Sequence, residues 1–192
     1  MNPTSEFFKE FLRNPSGIGA IVPSSQALAQ EIVNQASIKK AKVIVEFGCG
    51  TGVFTKKILS EIDCRTTFLA FEYNQQLAEA LAREVPLLRL YNQSAAELPK
   101  VMEGLKIKKV DCIISGLPWA TFSDEIQDEL LNAAYTNMRR GGRFVTFAYL
   151  QGLLLPGGIK FADKINKRFR TVTKSRIIWN NIPPAFVYRC VK

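Results

Sequence analysis

Residues able to do chemistry gather in two glycine-marked stretches of this 192-residue chain. The first, Val43 to Thr55, reads V-I-V-E-F-G-C-G-T-G-V-F-T: a β-branched run, the acid Glu46, then Gly48, Cys49, Gly50 and Gly52 before a helical segment. Glycine tolerates φ > 0 and lets bare backbone approach a ligand, while the next helix offers unpaired N–H groups. A ligand is expected there. The G-x-G-x-G spacing departs from G-x-G-x-x-G, whose geometry seats a pyrophosphate, which weakens a dinucleotide reading. A second acid, Glu72, closes the apolar run T-T-F-L-A-F-E, 72 − 48 = 24 residues beyond the first glycine. A carboxylate at the end of strand two, roughly 20 residues past the turn, accepts hydrogen bonds from ribose hydroxyls. The second stretch, S-G-L-P-W at Ser115 to Trp119, ends the buried run Val110 to Ser115. Proline and glycine at the carboxyl end of a central strand make a rigid turn of the kind that receives ligands, and this is the candidate catalytic turn.

These turns need a scaffold, and the hydrophobic periods supply one. Strands are expected at Lys42–Phe47, Thr66–Glu72, Leu88–Asn92, Val110–Ser115 and Arg143–Tyr149, alternating with helices at 53–62, 75–85 and 97–105 and one capped by Ser123 that runs to about Met138, with Gly141-Gly142 as its stop. Alternation of this kind implies a parallel, doubly wound sheet. Phe169–Trp179 and Ala185–Lys192 read as an antiparallel pair joined through N-N-I-P-P, and Leu150 to Gly158 as an unusually apolar connection. Ahead of the sheet lie a short helix over residues 2–13, a loop over Asn14 to Ser25, and a helix over Gln26–Ala36 that the serines Ser24 and Ser25 can cap. Phe7, Phe8 and Phe11 share one face of the first helix, which suits either an interfacial anchor or a lid packed on its own domain.

Composition narrows the class. The chain is 47% hydrophobic and long enough for one sizeable core. No window approaches 18 uninterrupted apolar residues, so a cytoplasmic protein that does not span a membrane is expected. Four scattered cysteines and no histidine leave a zinc or haem site almost without ligands, and no metal is expected. Of the net charge of +9, residues 139–192 carry 12 basic side chains against one acid, leaving the first 138 residues at −2. A basic third of this kind suits nucleic acid or an anionic membrane surface and does not choose between them.

Glu46-x-Gly48-x-Gly50-x-Gly52 resembles motif I of the Rossmann-like methyltransferases, which bind S-adenosylmethionine. The whole pattern looks like the class I methyltransferase fold: α/β, a seven-stranded sheet of five parallel strands plus a C-terminal antiparallel hairpin, helices on both faces. Within that class, G-A-I-V-P-S-S (Gly19 to Ser25), V-E-F-G-C-G-T-G-V-F-T, S-G-L-P-W and the ending P-P-A-F-V-Y (Pro183 to Tyr188) resemble the bacterial phospholipid N-methyltransferases, which methylate phosphatidylethanolamine toward phosphatidylcholine. The resemblance implies a domain over 37–192 preceded by N-terminal helices over 1–36 that contact membrane or form a lid. It implies S-adenosylmethionine as cofactor and S-adenosylhomocysteine as product. Gly48, Cys49, Gly50 and Gly52 would lie against the methionine and ribose portions, Glu46 near the amino group, Glu72 and Tyr73 at the ribose, and Ser94 and Ala95 at the adenine. Relatives often carry aspartate where Ser94 stands. Ser115, at the head of the turn, would touch both cofactor and substrate.

For the reaction, the same resemblance implies an amine oriented by carbonyls of Ser115, Gly116 and Leu117, with Trp119 facing the cationic headgroup and Tyr149 among the candidate proton acceptors. Phe7, Phe8, Phe11, Ser24 and Ser25 would meet substrate or the inner face of the membrane. Two rivals stay open. Ribosomal RNA adenine dimethylases share the fold and often read N-L-P-Y where this chain has Gly116-Leu117-Pro118-Trp119; their asparagine accepts from the base amine, and Gly116 has no side chain to do so. A protein that holds the cofactor without catalysis, or serves as a partner-binding module, is the third reading. An ornithine lipid is a further aminolipid substrate within the first.

Overall fold

The computed structural model describes residues 24–192. Phe7, Phe8, Phe11, the helix expected over 2–13 and most of the loop after it lie outside the described residues. The first described element is α1 (Gln26–Ala36), capped by Ser25, whose side chain accepts from the Leu28 N–H. Next come β1 (Val43–Phe47), α2 (Val53–Leu59), β2 (Thr67–Phe71), α3 (Gln75–Glu84), β3 (Arg89–Tyr91), α4 (Leu98–Gly104) and β4 (Val110–Ser115). The chain closes with α5 (Asp124–Asn137), β5 (Met138–Tyr149), α6 (Pro156–Arg168), β6 (Thr171–Lys174) and β7 (Ala185–Val191).

All seven strands form one sheet in the order β3-β2-β1-β4-β5-β7-β6. The first five are parallel, and β7 enters antiparallel between β5 and β6. The five parallel strands and terminal hairpin expected from the sequence are therefore present. Strands buried on both sides read as continuous apolar runs, as Val43–Phe47 and Val110–Ser115 do. On one face, α1 buries Leu28, Ile32 and Ala36 in a cluster with Ile44, Cys112, Val145 and Val187. On the other, α5 and α6 bury Leu130, Leu131, Phe161 and Ile165 against Phe47, Ile113 and Phe144.

Three details differ from the sequence expectation. The helix capped by Ser123 ends at Asn137, within a residue of the expected Met138, but β5 starts there and not at Arg143: Met138 is fully buried and pairs with Val110, so Gly141-Gly142 lie inside the strand and stop nothing. The register then slips between Val110 and Cys112, and the excursion it creates uses Gly141 at φ 71°. The expected strand over Phe169–Trp179 shrinks to Thr171–Lys174, with a single bridge at Ile178. The apolar connection after Tyr149 is a 3₁₀ turn (Leu150–Leu154) leading into α6, a thirteen-residue helix that the sequence pattern does not announce.

Parallel order puts the carboxyl ends of β1, β2, β4 and β5 along one rim. The turns of chemical interest meet there.

Candidate active site

At the end of β1 the chain bends through Gly48, Gly50 and Gly52, at φ 74°, 54° and 80°. This left-handed region penalises any side chain, which is why glycine recurs. Close packing adds to that demand at two of the three: a β-carbon on Gly48 would stand 2.6 Å from Leu117 Cδ2, and one on Gly52 2.6 Å from Leu81 Cδ1. At Gly50 a β-carbon would meet nothing within 4 Å, so the bend is open at its middle. The bend is anchored to its neighbour by the Gly48 N–H donating to the Phe71 carbonyl at 2.8 Å.

Glu72, one residue beyond β2, reaches under this bend. Its Oε2 accepts from the Gly50 N–H and its Oε1 from the Asn74 N–H, each at 2.8 Å. Burial pushes the carboxyl above its ordinary range, opposed by those backbone donors. The backbone N–H groups of Tyr73 and Cys49 also favour its charged form. Asn92, which sequence reasoning missed, donates to the carbonyls of Glu72 and Tyr73 and so fixes the β2 end. Its signal was only an amide at the end of β3. Ser94 caps the short turn Ala95–Glu97, accepting from the Ala96 N–H, and its hydroxyl still has a donor to offer.

The S-G-L-P-W turn is built around Ser115. Its fully buried Oγ accepts from Trp119 Nε1 at 3.0 Å and from the Leu117 N–H at 3.3 Å, while its carbonyl accepts from Thr146 Oγ1. The Leu117 carbonyl is taken by the Trp119 N–H. Among the described residues no donor reaches the carbonyl of Gly116, the middle member of the expected trio. Trp119 is a buried wall, stacked on Phe161 with ring centres 4.6 Å apart. Gln127 braces this turn, its Nε2 donating to the carbonyls of Trp119 and Gly157.

A cavity of about 250 Å³ joins these parts. It is lined by Gly48, Cys49, Gly50, Glu72, Tyr73, Ser94 and Ala95 on one side and by Gly116, Leu117, Trp119, Tyr149, Phe161 and Tyr188 on the other. Ser24 lines it too. Four expected site residues do not. Gly52 opens α2 and packs toward Leu81. Ser115 spends its hydroxyl inside the turn. Ser25 caps α1 and donates its N–H to Asn181 Oδ1. Glu46 lies behind the glycine bend, its Oε2 accepting from Thr55 Oγ1 at 2.7 Å and its Oε1 without a partner among the described residues. Burial pushes the Glu46 carboxyl up to about 8, and burial with the nearby Glu46 and Glu72 holds the Cys49 thiol well above its ordinary value.

The open middle of the bend, with a two-oxygen acceptor beneath it and an apolar wall opposite, fits an adenosyl group. Gly48, Cys49 and Gly50 would hold its amino-acid arm, Glu72 its ribose and Ser94-Ala95 its base.

Comparison with known proteins agrees with that fit. The family model for ribosomal RNA adenine dimethylase matches residues 10–146. An ornithine lipid N-methyltransferase of Singulisphaera acidiphila is 26% identical over 188 residues, 96% of this chain and 93% of that protein. Among solved structures, the O-methyltransferase TomG of Streptomyces achromogenes in complex with S-adenosylmethionine superposes with a TM-score of 0.70 at 15% identity, covering 98% of this chain and 87% of that one. An O-methyltransferase of Bacillus cereus in complex with S-adenosylhomocysteine gives 0.68 at 14% identity, covering 100% and 92%. At those identities the structures speak for the fold. The glycine bend, the carboxylate beneath it and the length of the family match together mean that this chain is an S-adenosylmethionine-dependent methyltransferase belonging to the ribosomal RNA adenine dimethylase family.

Proposed function

We propose that this methyltransferase acts on the amine of a membrane aminolipid, phosphatidylethanolamine or an ornithine lipid, at the inner face of the membrane. The observation that carries the reading is Gly116. Where base-methylating relatives present an asparagine side chain, this chain offers a backbone carbonyl with no donor among the described residues and no space for a side chain, since a β-carbon would lie 2.5 Å from the Gly48 carbonyl oxygen. Similarity along nearly the whole length of an ornithine lipid N-methyltransferase supports the same substrate class.

The bound cofactor supplies an electrophilic methyl group on a sulfonium. The protein supplies position. The Gly116 carbonyl accepts an amine N–H and turns the nitrogen lone pair toward the glycine bend, while Leu117, Trp119 and Phe161 keep water out. The amine enters as the free base, its proton given up to solvent water at the cavity mouth, and its lone pair then takes the methyl group as the sulfonium becomes a thioether. Burial raises the Tyr149 hydroxyl above its ordinary value, so that phenol stays neutral and orients rather than deprotonates.

The mouth of the cavity supports contact with lipid. Leu154 (82% exposed), Ile159 (58%) and Ile182 (77%) are chain neighbours of the cavity residues Leu153, Leu155, Gly158 and Pro183, and Trp179 (67%) is exposed in the connection that leads to Ile182. Exposed Lys174 and Arg176 take no part in the ion pairs among the described residues and suit anionic headgroups. No helix among the described residues is long and apolar enough to cross a membrane.

The deciding experiment offers methyl-labelled S-adenosylmethionine in parallel to phosphatidylethanolamine vesicles, ornithine-lipid vesicles and ribosomal RNA. Label in either lipid is the expected result. Label in RNA alone would overturn the proposal.

A further inference from the structure

The ending P-P-A-F-V-Y remains without a role, and its last residue stands out. Tyr188 is 1% exposed, lines the cavity, and its hydroxyl has no hydrogen-bond partner among the described residues. A buried phenol left unpaired costs the fold free energy, and most such groups in folded proteins find a partner. The surroundings hold the ring tightly: Phe186 meets it edge-on at 4.8 Å, Phe161 at 6.1 Å, and Lys174 Nζ lies 5.4 Å from its centre. With the ring so enclosed, the hydroxyl is the part of Tyr188 with something left to bind.

Register fixes which half of the site it serves. Phe47, Ser115, Thr146 and Tyr188 are successive partners across β1, β4, β5 and β7. Tyr188 is therefore three strands from β1, about 14 Å at the usual strand spacing, and two strands from the Gly116 turn. The expected cofactor residues sit on the turns after β1, β2 and β3, so Tyr188 belongs to the substrate side.

We infer that the Tyr188 hydroxyl oxygen is a second acceptor for the headgroup N–H of the aminolipid, acting beside the Gly116 carbonyl on the substrate side of the cavity. The inference rests on the proposed function and names a substrate-positioning residue within it. Burial, with a smaller push from Cys190, raises the hydroxyl above its ordinary value, so it stays a neutral acceptor.

Tyr188→Phe removes the hydroxyl and little else. The protein loaded with S-adenosylhomocysteine cannot turn over, so its affinity for dihexanoyl-phosphatidylethanolamine and for a short-chain ornithine lipid can be read by calorimetry. S-adenosylhomocysteine affinity should stay within about twofold, since the hydroxyl lies outside the cofactor half. The melting temperature should hold or rise by roughly 2–4 °C as an unpaired buried group disappears. Aminolipid affinity should weaken roughly tenfold, and kcat/KM for transfer should fall in proportion. If wild-type protein binds and methylates an aminolipid and the phenylalanine variant does so equally well, the Tyr188 assignment is overturned and the function stands. A melting temperature several degrees lower would mark the hydroxyl as structural and overturn it equally. Wild-type protein that binds neither aminolipid removes the proposed function itself, and this inference with it.

Discussion

A β-carbon on Gly116 would stand 2.5 Å from the carbonyl oxygen of Gly48, so the turn after β4 and the bend after β1 touch backbone to backbone. The proposed acceptor for the amine and the proposed cradle for the methyl donor are thus one rigid unit, and the second cannot shift without the first. Gly116→Ala should force the two turns apart. We expect a lower melting temperature, by about 1–3 kcal/mol of overpacking, and a loss of methyl transfer of roughly 100-fold, because misplacing reacting groups by an ångström costs that much. Gly116→Asn should lose lipid transfer equally without gaining transfer to RNA. Thermal melts and labelled-methyl assays on both variants check this; wild-type activity in the alanine variant would refute it.

Glu72 joins β2 to the same bend through Gly50 and, in the proposed reading, would also take the ribose hydroxyls. Glu72→Gln retains one carbonyl oxygen but turns an amide toward one of the two backbone donors. Glu72→Ala leaves both without their acceptor. S-adenosylhomocysteine affinity should fall roughly 10- to 100-fold in the first and further in the second, given about 1.5–3 kcal/mol for a hydrogen bond to a charged partner. Calorimetric titration measures it. An unchanged affinity in Glu72→Ala would remove the carboxylate from the site.

Much of this arrangement was legible because each feature needs residue types that little else requires. Continuous β-branched runs announced β1 and β4, three glycines in left-handed backbone marked the bend, and serines marked the starts of α1 and α5. What stayed hidden depended on contacts between distant segments. Helix α6 begins P-G-G, a loop signature, and holds because Gly157 and Gly158 pack against the backbone of Ala120 and Gly152, where a β-carbon would lie 2.3 and 1.9 Å from their carbonyl oxygens. Pro156 at its start and the Phe161/Ile165 pair were the available signals. Ser115 reads in the sequence as a site residue and is instead a buried brace, since nothing in S-G-L-P-W says that its hydroxyl serves Trp119. Tyr188 ended a recognised motif, yet its unpaired hydroxyl is visible only once β7 lies between β5 and β6.

The exposed apolar rim predicts where lipid is met. Trp179→Ser with Ile182→Ser should reduce sedimentation with phosphatidylglycerol vesicles several-fold, while S-adenosylhomocysteine affinity stays unchanged, because both side chains project away from the core. Binding should weaken as salt rises, since Lys174 and Arg176 act through a screened field. Phe8→Ser with Phe11→Ser tests the N-terminal segment in the same assay. Equal sedimentation of the Trp179/Ile182 variant and wild type would move the membrane contact elsewhere.

Glu46 makes stability depend on pH in a direction opposite to that of most carboxylates. Its folded value, about 8, lies above the ordinary 4.5 because burial disfavours the charged form more than the hydrogen bond from Thr55 favours it. The folded state therefore holds a proton that the unfolded chain has released, and the associated stability is full below about pH 4.5 and disappears as pH rises through 8. Glu46→Gln keeps an acceptor for Thr55 Oγ1 and never ionises. Wild-type melting temperature should fall between pH 5 and pH 8.5 relative to the glutamine variant, the two converging at the acid end and the variant gaining on the order of a few kcal/mol at the alkaline end. Other titrating groups are common to both proteins and cancel in the difference. Parallel melting curves across that range would mean that Glu46 is ionised in the folded state, and its carboxylate would then need a cationic or donor partner that the described residues do not supply.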